Sequence, residues 1–154
     1  MTVHDTFVLE RSYRKTIVAV FAALADPTKK RRWYAEGEGH TLDGFEMEFR
    51  VGGIERAAYR MGENTPFPGT PLVAEGRHED IVENQRVVIS STMSLGGRRI
   101  STAIATFELF EAGGTTRLVF THQAVFYEGA DGPEMRKGGW EHLLNRLTAE
   151  IEAS

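Results

Sequence analysis

The sequence predicts an α+β fold in which an antiparallel sheet packs against one long helix at the carboxyl end. Segments of alternating apolar and polar residues recur along most of the 154 residues, with glycine, proline and asparagine between them. The last segment changes to helical spacing, with an apolar stripe of Trp140, Leu143, Leu144, Leu147 and Ile151. A chain of this length suits one domain, so we expect residues 1–154 to share one core.

The chain is expected to begin with a strand and two short helices. Alternation over Thr6–Tyr13 predicts the strand, and the next apolar residues have helical spacing. Thr16 is placed to cap the first helix. Asp26 is placed to cap a second helical turn, which begins at Pro27 and should reach about Trp33, because proline favours the first helical position.

Six further strands are expected before the final helix. The first contains Phe45, Met47, Phe49 and Val51 at alternate positions and should end at Gly52-Gly53. Two diglycines, Gly96-Gly97 and Gly113-Gly114, predict hairpin turns. The other five strands are expected at about residues 54–61, 72–82, 87–95, 100–110 and 116–125.

Composition narrows the classes of function. The absence of cysteine excludes disulfides, thiolate metal sites and cysteine nucleophiles, and it fits the cytoplasmic location that we expect. No signal-like start and no apolar run of about eighteen residues is present, so we expect no contact with a membrane. The net charge of −4 argues against a nucleic-acid partner. No zinc-protease histidine pair or phosphate-binding loop occurs, so the sequence predicts no metal and no cofactor.

One basic run, Lys29-Lys30-Arg31-Arg32, precedes Trp33. We interpret these four cations as a solvated helical face, since nearby acidic residues offset much of their charge. The alternative is a surface that docks an acidic protein, a phosphate group or a nucleic acid.

Several stretches of the chain match a known family in residue type and spacing. They are residues 21–28 followed by Arg32-Trp33-Tyr34, then residues 45–53, residues 116–122, and Gly139-Trp140 with the leucines that follow. In these the chain resembles homologues of the activator of the heat-shock-protein-90 ATPase. That family lies in the superfamily of START lipid-transfer domains, pollen-allergen-type carriers and polyketide cyclases. Where the family often has a second tryptophan, this chain has Tyr34, whose hydroxyl would add a polar group.

The resemblance implies the helix-grip fold. In that fold a curved antiparallel sheet of six or seven strands wraps around the long C-terminal helix and encloses a cavity. It does not imply one ligand or one reaction, because a shared fold does not fix the chemistry of its site.

Four polar side chains fall on predicted inner faces: Arg11, Tyr59, His78 and His122. They are our candidates for orienting a carbonyl, carboxylate or phenol group of a ligand. Tyr59 and the two histidines are also candidate acid or base groups, since histidine titrates near neutral pH. The alternative is that each is a hydrogen-bonded core group, with Arg11 in a buried ion pair.

Apolar residues on the same faces are candidates for the cavity wall, although such residues usually form ordinary core. The candidates are Trp33, Phe45, Phe49, Met93, Phe107, Phe120, Trp140 and Leu144.

Three functions remain open from the sequence. The leading hypothesis is a non-catalytic carrier or sensor of a small hydrophobic, lipid-like or polyketide-like molecule. The second is an enzyme of the cyclase or hydratase type that uses His78 or His122 as acid or base. The third is an interaction domain with a chaperone as its partner. The oligomeric state is also open, a homodimer included.

Overall fold

Seven strands form one antiparallel sheet against which the helices pack in the computed structural model, which describes residues 1–154. The elements are β1 (Val3–Tyr13), α1 (Ile17–Ala25), α2 (Pro27–Lys30), β2 (His40–Met47), β3 (Ile54–Met61), β4 (Pro71–Val82), β5 (Arg86–Leu95), β6 (Arg98–Ala112), β7 (Thr115–Phe126) and α3 (Pro133–Glu152).

The strand order explains how one sheet surrounds one helix. The order is β1-β7-β6-β5-β4-β3-β2, so β2 to β7 form successive hairpins and β1 adds to the edge of β7. Both predicted diglycine turns have the positive φ angles that such tight turns require. The sheet curves around α3, which confirms the helix-grip fold. No helix combines the length and apolarity needed to cross a lipid bilayer.

The capping residues act as predicted. Thr16 Oγ1 accepts a hydrogen bond from the backbone N–H of Ala19 at 3.2 Å. Asp26 Oδ1 accepts from the N–H groups of Thr28 and Lys29 at 2.8 and 3.3 Å. These bonds satisfy backbone donors that have no partner within the first helical turn, and so they fix where α1 and α2 begin.

The second helical segment extends further than predicted. After α2 the chain makes a wider π-helical turn over Arg31–Ala35, closed by the N–H of Glu36 donating to the carbonyl of Arg31 at 2.9 Å. Trp33 in this turn is buried and donates its indole N–H to the carbonyl of Ala23 in α1 at 2.8 Å. The turn is thereby anchored to α1, and it brings Tyr34 to the interior as well.

The prediction that the second strand reaches Gly52-Gly53 is wrong. β2 ends at Met47, and the next residues form a tight turn in which Gly53 N–H donates to the carbonyl of Arg50 at 2.8 Å. A Cβ on Gly53 would overlap the carbonyl oxygen of Glu48, so this turn requires glycine there. Phe49 and Val51 continue the alternation of apolar and polar residues, but their backbone is irregular. Alternation therefore did not indicate a strand at these positions.

The interior is filled unevenly. A cluster of 18 buried residues joins β1, β5, β6 and β7 with α1 and the second half of α3. Beside β2 and β3 the buried apolar cluster has only 3 residues, Ala35, Ala57 and Tyr59. One end of the sheet therefore encloses a packed core, and the other leaves space in front of α3.

A buried ion pair lies where these two regions meet. Lys30 Nζ is 3.0 Å from Glu55 Oε1, and the two side chains are only 2% and 7% exposed. The ammonium also lies 5.2, 4.7 and 5.6 Å from the ring centres of Trp33, Tyr34 and Phe107. The prediction of a solvated basic face is thus wrong for Lys30, whereas Arg31 and Arg32 are exposed.

Removing one member of this pair should destabilise the protein strongly. We expect Lys30→Met to lower the free energy of unfolding by about 3–5 kcal/mol, since Glu55 would remain charged and buried without its partner. The double change Lys30→Met with Glu55→Leu should recover most of that loss, because two apolar side chains replace the pair. Urea unfolding of both variants measures the effect.

The matched control is Lys29→Met, which removes a cation one residue away that has no buried partner. It should change the free energy of unfolding by less than about 0.5 kcal/mol. Equal losses for Lys29→Met and Lys30→Met would contradict the structural role of the buried pair.

Candidate functional site

A cavity of about 330 Å³ lies between the inner face of the sheet and the first half of α3. Strands β2 to β5 supply one wall, and the chain from Asp131 onward supplies the other. The lining residues are Tyr34, Gly39, His40, Tyr59, Met61, Leu72, Ala74, Met93, Asp131, Met135, Arg136, Gly139, Trp140, His142 and Leu143.

Most of the cavity wall is apolar and adaptable. Met61, Leu72 and Met93 come from three neighbouring strands, and Met135 and Leu143 face them from α3. Methionine side chains are flexible and polarisable, so such a wall can adjust to ligands of different shape. The wall is therefore suited to an apolar molecule without a single required outline.

Trp140 closes the cavity toward the packed core. Its ring centre lies 4.4 Å from that of Phe120 and 6.0 Å from that of Tyr34. The indole thus belongs to the cavity wall on one side and to the core on the other.

Arg136 and Asp131 form an ion pair in the cavity wall. The guanidinium of Arg136 donates from Nε and Nη2 to the two carboxylate oxygens of Asp131, at 2.8 and 2.7 Å, and from Nη2 to Ser101 Oγ at 3.0 Å. The guanidinium carbon Cζ also lies 5.1 Å from the ring centre of Phe126. These contacts hold the guanidinium rigidly although the side chain is almost fully buried.

Two phenol groups complete the polar part of the wall. Burial raises the pKa of Tyr34 well above its ordinary value, and the neighbouring Tyr59 and Glu55 raise it further. Burial likewise raises the pKa of Tyr59, with Glu55 contributing. Both hydroxyls are therefore protonated at neutral pH and can donate a hydrogen bond.

His40 and His142 supply imidazole groups to the wall, and the side chain of His142 is exposed. His40 Nε2 donates to the carbonyl of Ala35 at 2.8 Å, which leaves its Nδ1 as an acceptor. Its ring packs edge-on against Tyr59 at 4.7 Å. No three acidic or histidine side chains converge as a metal site would require.

Of the residues that the sequence suggested, Tyr59, Met93 and Trp140 line the cavity. Arg11 is half-buried and donates to Asn145 Oδ1 at 3.3 Å without an ion pair. Phe45 packs against Tyr34, and Phe49 against Phe21. The remaining apolar candidates lie in the packed core: Trp33, Phe107, Phe120 and Leu144.

Both predicted histidines point inward but do not line the cavity. His78 donates from Nδ1 to the carbonyl of Gly53 at 3.1 Å, and its Nε2 lies 3.9 Å from Glu55 Oε1. Burial lowers its pKa. His122 stacks on Phe7 with ring centres 4.8 Å apart, and its Nδ1 has no partner. They occupy separate places in the core.

Five polar groups of the site were not among the sequence candidates: the wall residues His40, Asp131, Arg136 and His142, and Glu55, which acts on both tyrosines. Glu55 alternates with Ala57 and Tyr59, so its position in the strand already indicated an inward side chain. Arg136 lies four residues before Trp140 in α3, which places both on one helical face.

A second, wider groove lies between the π-helical turn and the end of α3, with a volume of about 550 Å³. It is polar: Lys29, Glu36 and Arg146 line it together with Arg32, whose guanidinium donates to both carboxylate oxygens of Glu150 at 2.8 Å. A polar groove of this kind is a weaker candidate for an apolar ligand than the cavity, most of whose lining residues are hydrophobic.

The comparison with known families agrees with this architecture. Residues 15–152 match the family described as "Activator of Hsp90 ATPase homolog 1-like protein". This chain belongs to that family. Membership suggests a ligand-binding domain and leaves the ligand unspecified.

Solved structures show the same fold. A protein of Rhizobium loti is 36% identical, covers 97% of this chain and 99% of its own, and has a TM-score of 0.87. An uncharacterised protein of Rhizobium leguminosarum is 31% identical. The match covers 100% of this chain and 98% of that protein, with a TM-score of 0.91. The AHSA1 protein of Silicibacter pomeroyi is 22% identical. The match covers 97% of this chain and 99% of that protein, with a TM-score of 0.73. A search of the curated proteins finds no match.

The buried His122 should make stability depend on pH. Burial and the charge of Arg136 lower its pKa from 6.5 to about 4, while the opposing charge of Asp131 is the smaller effect. Between these values the unfolded chain binds more protons than the folded one, so acid favours unfolding. From about pH 7 to about pH 4, the wild type should lose about 3 kcal/mol more stability than His122→Phe.

Urea unfolding of both proteins across this pH range measures the difference. His78 is present in both and cancels in the comparison. Parallel stability profiles would mean that His122 is protonated as easily in the folded protein as in the unfolded chain.

Proposed function

We propose that this protein binds a small, largely apolar molecule in the cavity beneath α3 and acts as its carrier or sensor. The observation that carries the proposal is the space of about 330 Å³ that remains beside a core packed tightly elsewhere. A concave, mostly apolar space with a few polar groups in its wall is the usual form of a small-molecule site.

The size of the cavity limits the ligand. A volume of 330 Å³ lies at the small end of the range for ligand pockets, and at interior packing density it holds about 12 non-hydrogen atoms. Apolar area removed from water contributes about 25 cal/mol per Å². The methionines and leucines of the wall would therefore supply most of the affinity, and the few polar groups would orient the ligand.

The positions of the histidines favour a carrier over a cyclase or hydratase. An acid–base mechanism needs a proton-transferring group within hydrogen-bond reach of the substrate. His78 and His122 lie in the core, and Tyr59 has a raised pKa, which makes it a poor base near neutral pH. His40 is the remaining partly buried imidazole of the wall, and one of its nitrogens already bonds to the backbone.

The chaperone hypothesis has less support than the sequence suggested. It drew on the name of the family and, to a smaller extent, on the basic run that ends at Arg32. In that run Lys30 is buried, Arg31 pairs with Glu36, and Arg32 pairs with Glu150. The cysteine-free composition supports the proposed cytoplasmic location.

Two adjacent glycines of α3 offer a matched test. An added Cβ meets no atom within 4 Å at either Gly138 or Gly139, but only Gly139 lines the cavity. Gly139→Trp should place an indole in the cavity and abolish binding, whereas Gly138→Trp should bind like the wild type. Both changes remove a helical glycine, so neither should lower stability.

The measurement is a thermal-shift screen with small aromatic compounds, fatty acids and polyketides, supported by native mass spectrometry. A ligand of the folded state raises the melting temperature by an amount that grows with the logarithm of its concentration relative to its Kd. Equal shifts for Gly138→Trp and Gly139→Trp would place the ligand elsewhere, and no shift for the wild type would count against a carrier function.

A further inference from the structure

Three hydrogen-bond donors on the cavity wall have no partner in the protein. Arg136 uses Nε and Nη2 for Asp131 and Ser101, which leaves Nη1 free. The hydroxyls of Tyr34 and Tyr59 make no hydrogen bond, and all three side chains line the cavity. Arg136 and Tyr59 are more than nine-tenths buried, so the cavity is the place where their free donors can find an acceptor.

The three donors belong to one part of the cavity wall. Tyr34 packs against the small cluster that contains Tyr59, and its ring centre lies 6.0 Å from that of Trp140. Arg136 precedes Trp140 by one turn of α3, on the same helical face. A ligand oxygen that accepts hydrogen bonds from these donors would gain more than one that meets only the apolar wall.

The charges around these donors disfavour an anionic ligand. The guanidinium of Arg136 is already balanced by the two-point contact with Asp131. Glu55, the partner of Lys30, disfavours ionisation of both tyrosines, and Arg146 opposes this only at Tyr59 and by a smaller amount. A ligand carboxylate would bring a negative charge to a wall whose one guanidinium is already paired, whereas a carbonyl oxygen accepts hydrogen bonds without that cost.

We propose that the cavity selects a neutral carbonyl compound, such as an apolar ketone, ester or amide. Its oxygen accepts hydrogen bonds from Arg136 Nη1 and from the hydroxyls of Tyr34 and Tyr59, while its apolar body packs on the methionine wall. This inference rests on the proposed function and specifies the ligand class for the same cavity.

Three probes of similar size separate the ligand classes. Butyrophenone carries a carbonyl, butylbenzene has none, and phenylbutanoate carries a charged carboxylate. Isothermal titration of the wild type should show butyrophenone binding about tenfold more tightly than butylbenzene, which corresponds to the net effect of one or two hydrogen bonds. Phenylbutanoate should bind more weakly than butyrophenone.

Tyrosine-to-phenylalanine changes then identify the donors, because they remove a hydroxyl and keep the ring. Tyr34→Phe and Tyr59→Phe should each reduce the affinity for butyrophenone by about fivefold and leave that for butylbenzene unchanged. Tyr127→Phe is the matched control, since its hydroxyl bonds to Thr102 at 2.8 Å outside the cavity.

Each result has a definite meaning. Equal affinities for butyrophenone and butylbenzene, or tightest binding of phenylbutanoate, would overturn the carbonyl proposal while leaving the cavity a binding site. Failure of all three probes to bind would overturn the proposed function together with this inference.

Discussion

The buried contact between Lys30 and Glu55 organises the interior of this protein. An ammonium and a carboxylate that cannot reach water must stay together, so the end of α2 is held against β3. The rings of Trp33, Tyr34 and Phe107 pack around the ammonium and leave it no other position. Because the π-helical turn continues directly from this lysine, the contact also determines where Tyr34 meets the cavity.

The same contact separates a filled half of the interior from a hollow half. The hollow half is a pocket of about 330 Å³ that reaches the surface beside α3, where Met135 and His142 are exposed. Water can therefore enter it. The guanidinium of Arg136 and the two phenols give that water, or a ligand oxygen, a favourable place.

Periodicity predicted the fold well, because strands and helices follow their own backbone geometry. It gave the inward direction of His78 and His122 for the same reason, and both are buried. It could not distinguish an inward residue in the filled half from one in the hollow half, since that depends on how the sheet curves over α3. Lys30 was misjudged because local charge predicts exposure, and only a distant strand supplies Glu55.

The residues that stabilise the fold and those that line the cavity are largely separate sets. Lys30, Glu55 and the phenylalanine core hold the sheet, whereas methionines and leucines from β3 to β5 and α3 form much of the apolar wall. Tyr34 and Trp140 belong to both sets, since Tyr34 contacts Lys30 and Trp140 contacts Phe120. Changes in the methionines and leucines can therefore alter the ligand without disturbing the ion pair, while loss of either ring must affect ligand contacts and packing together.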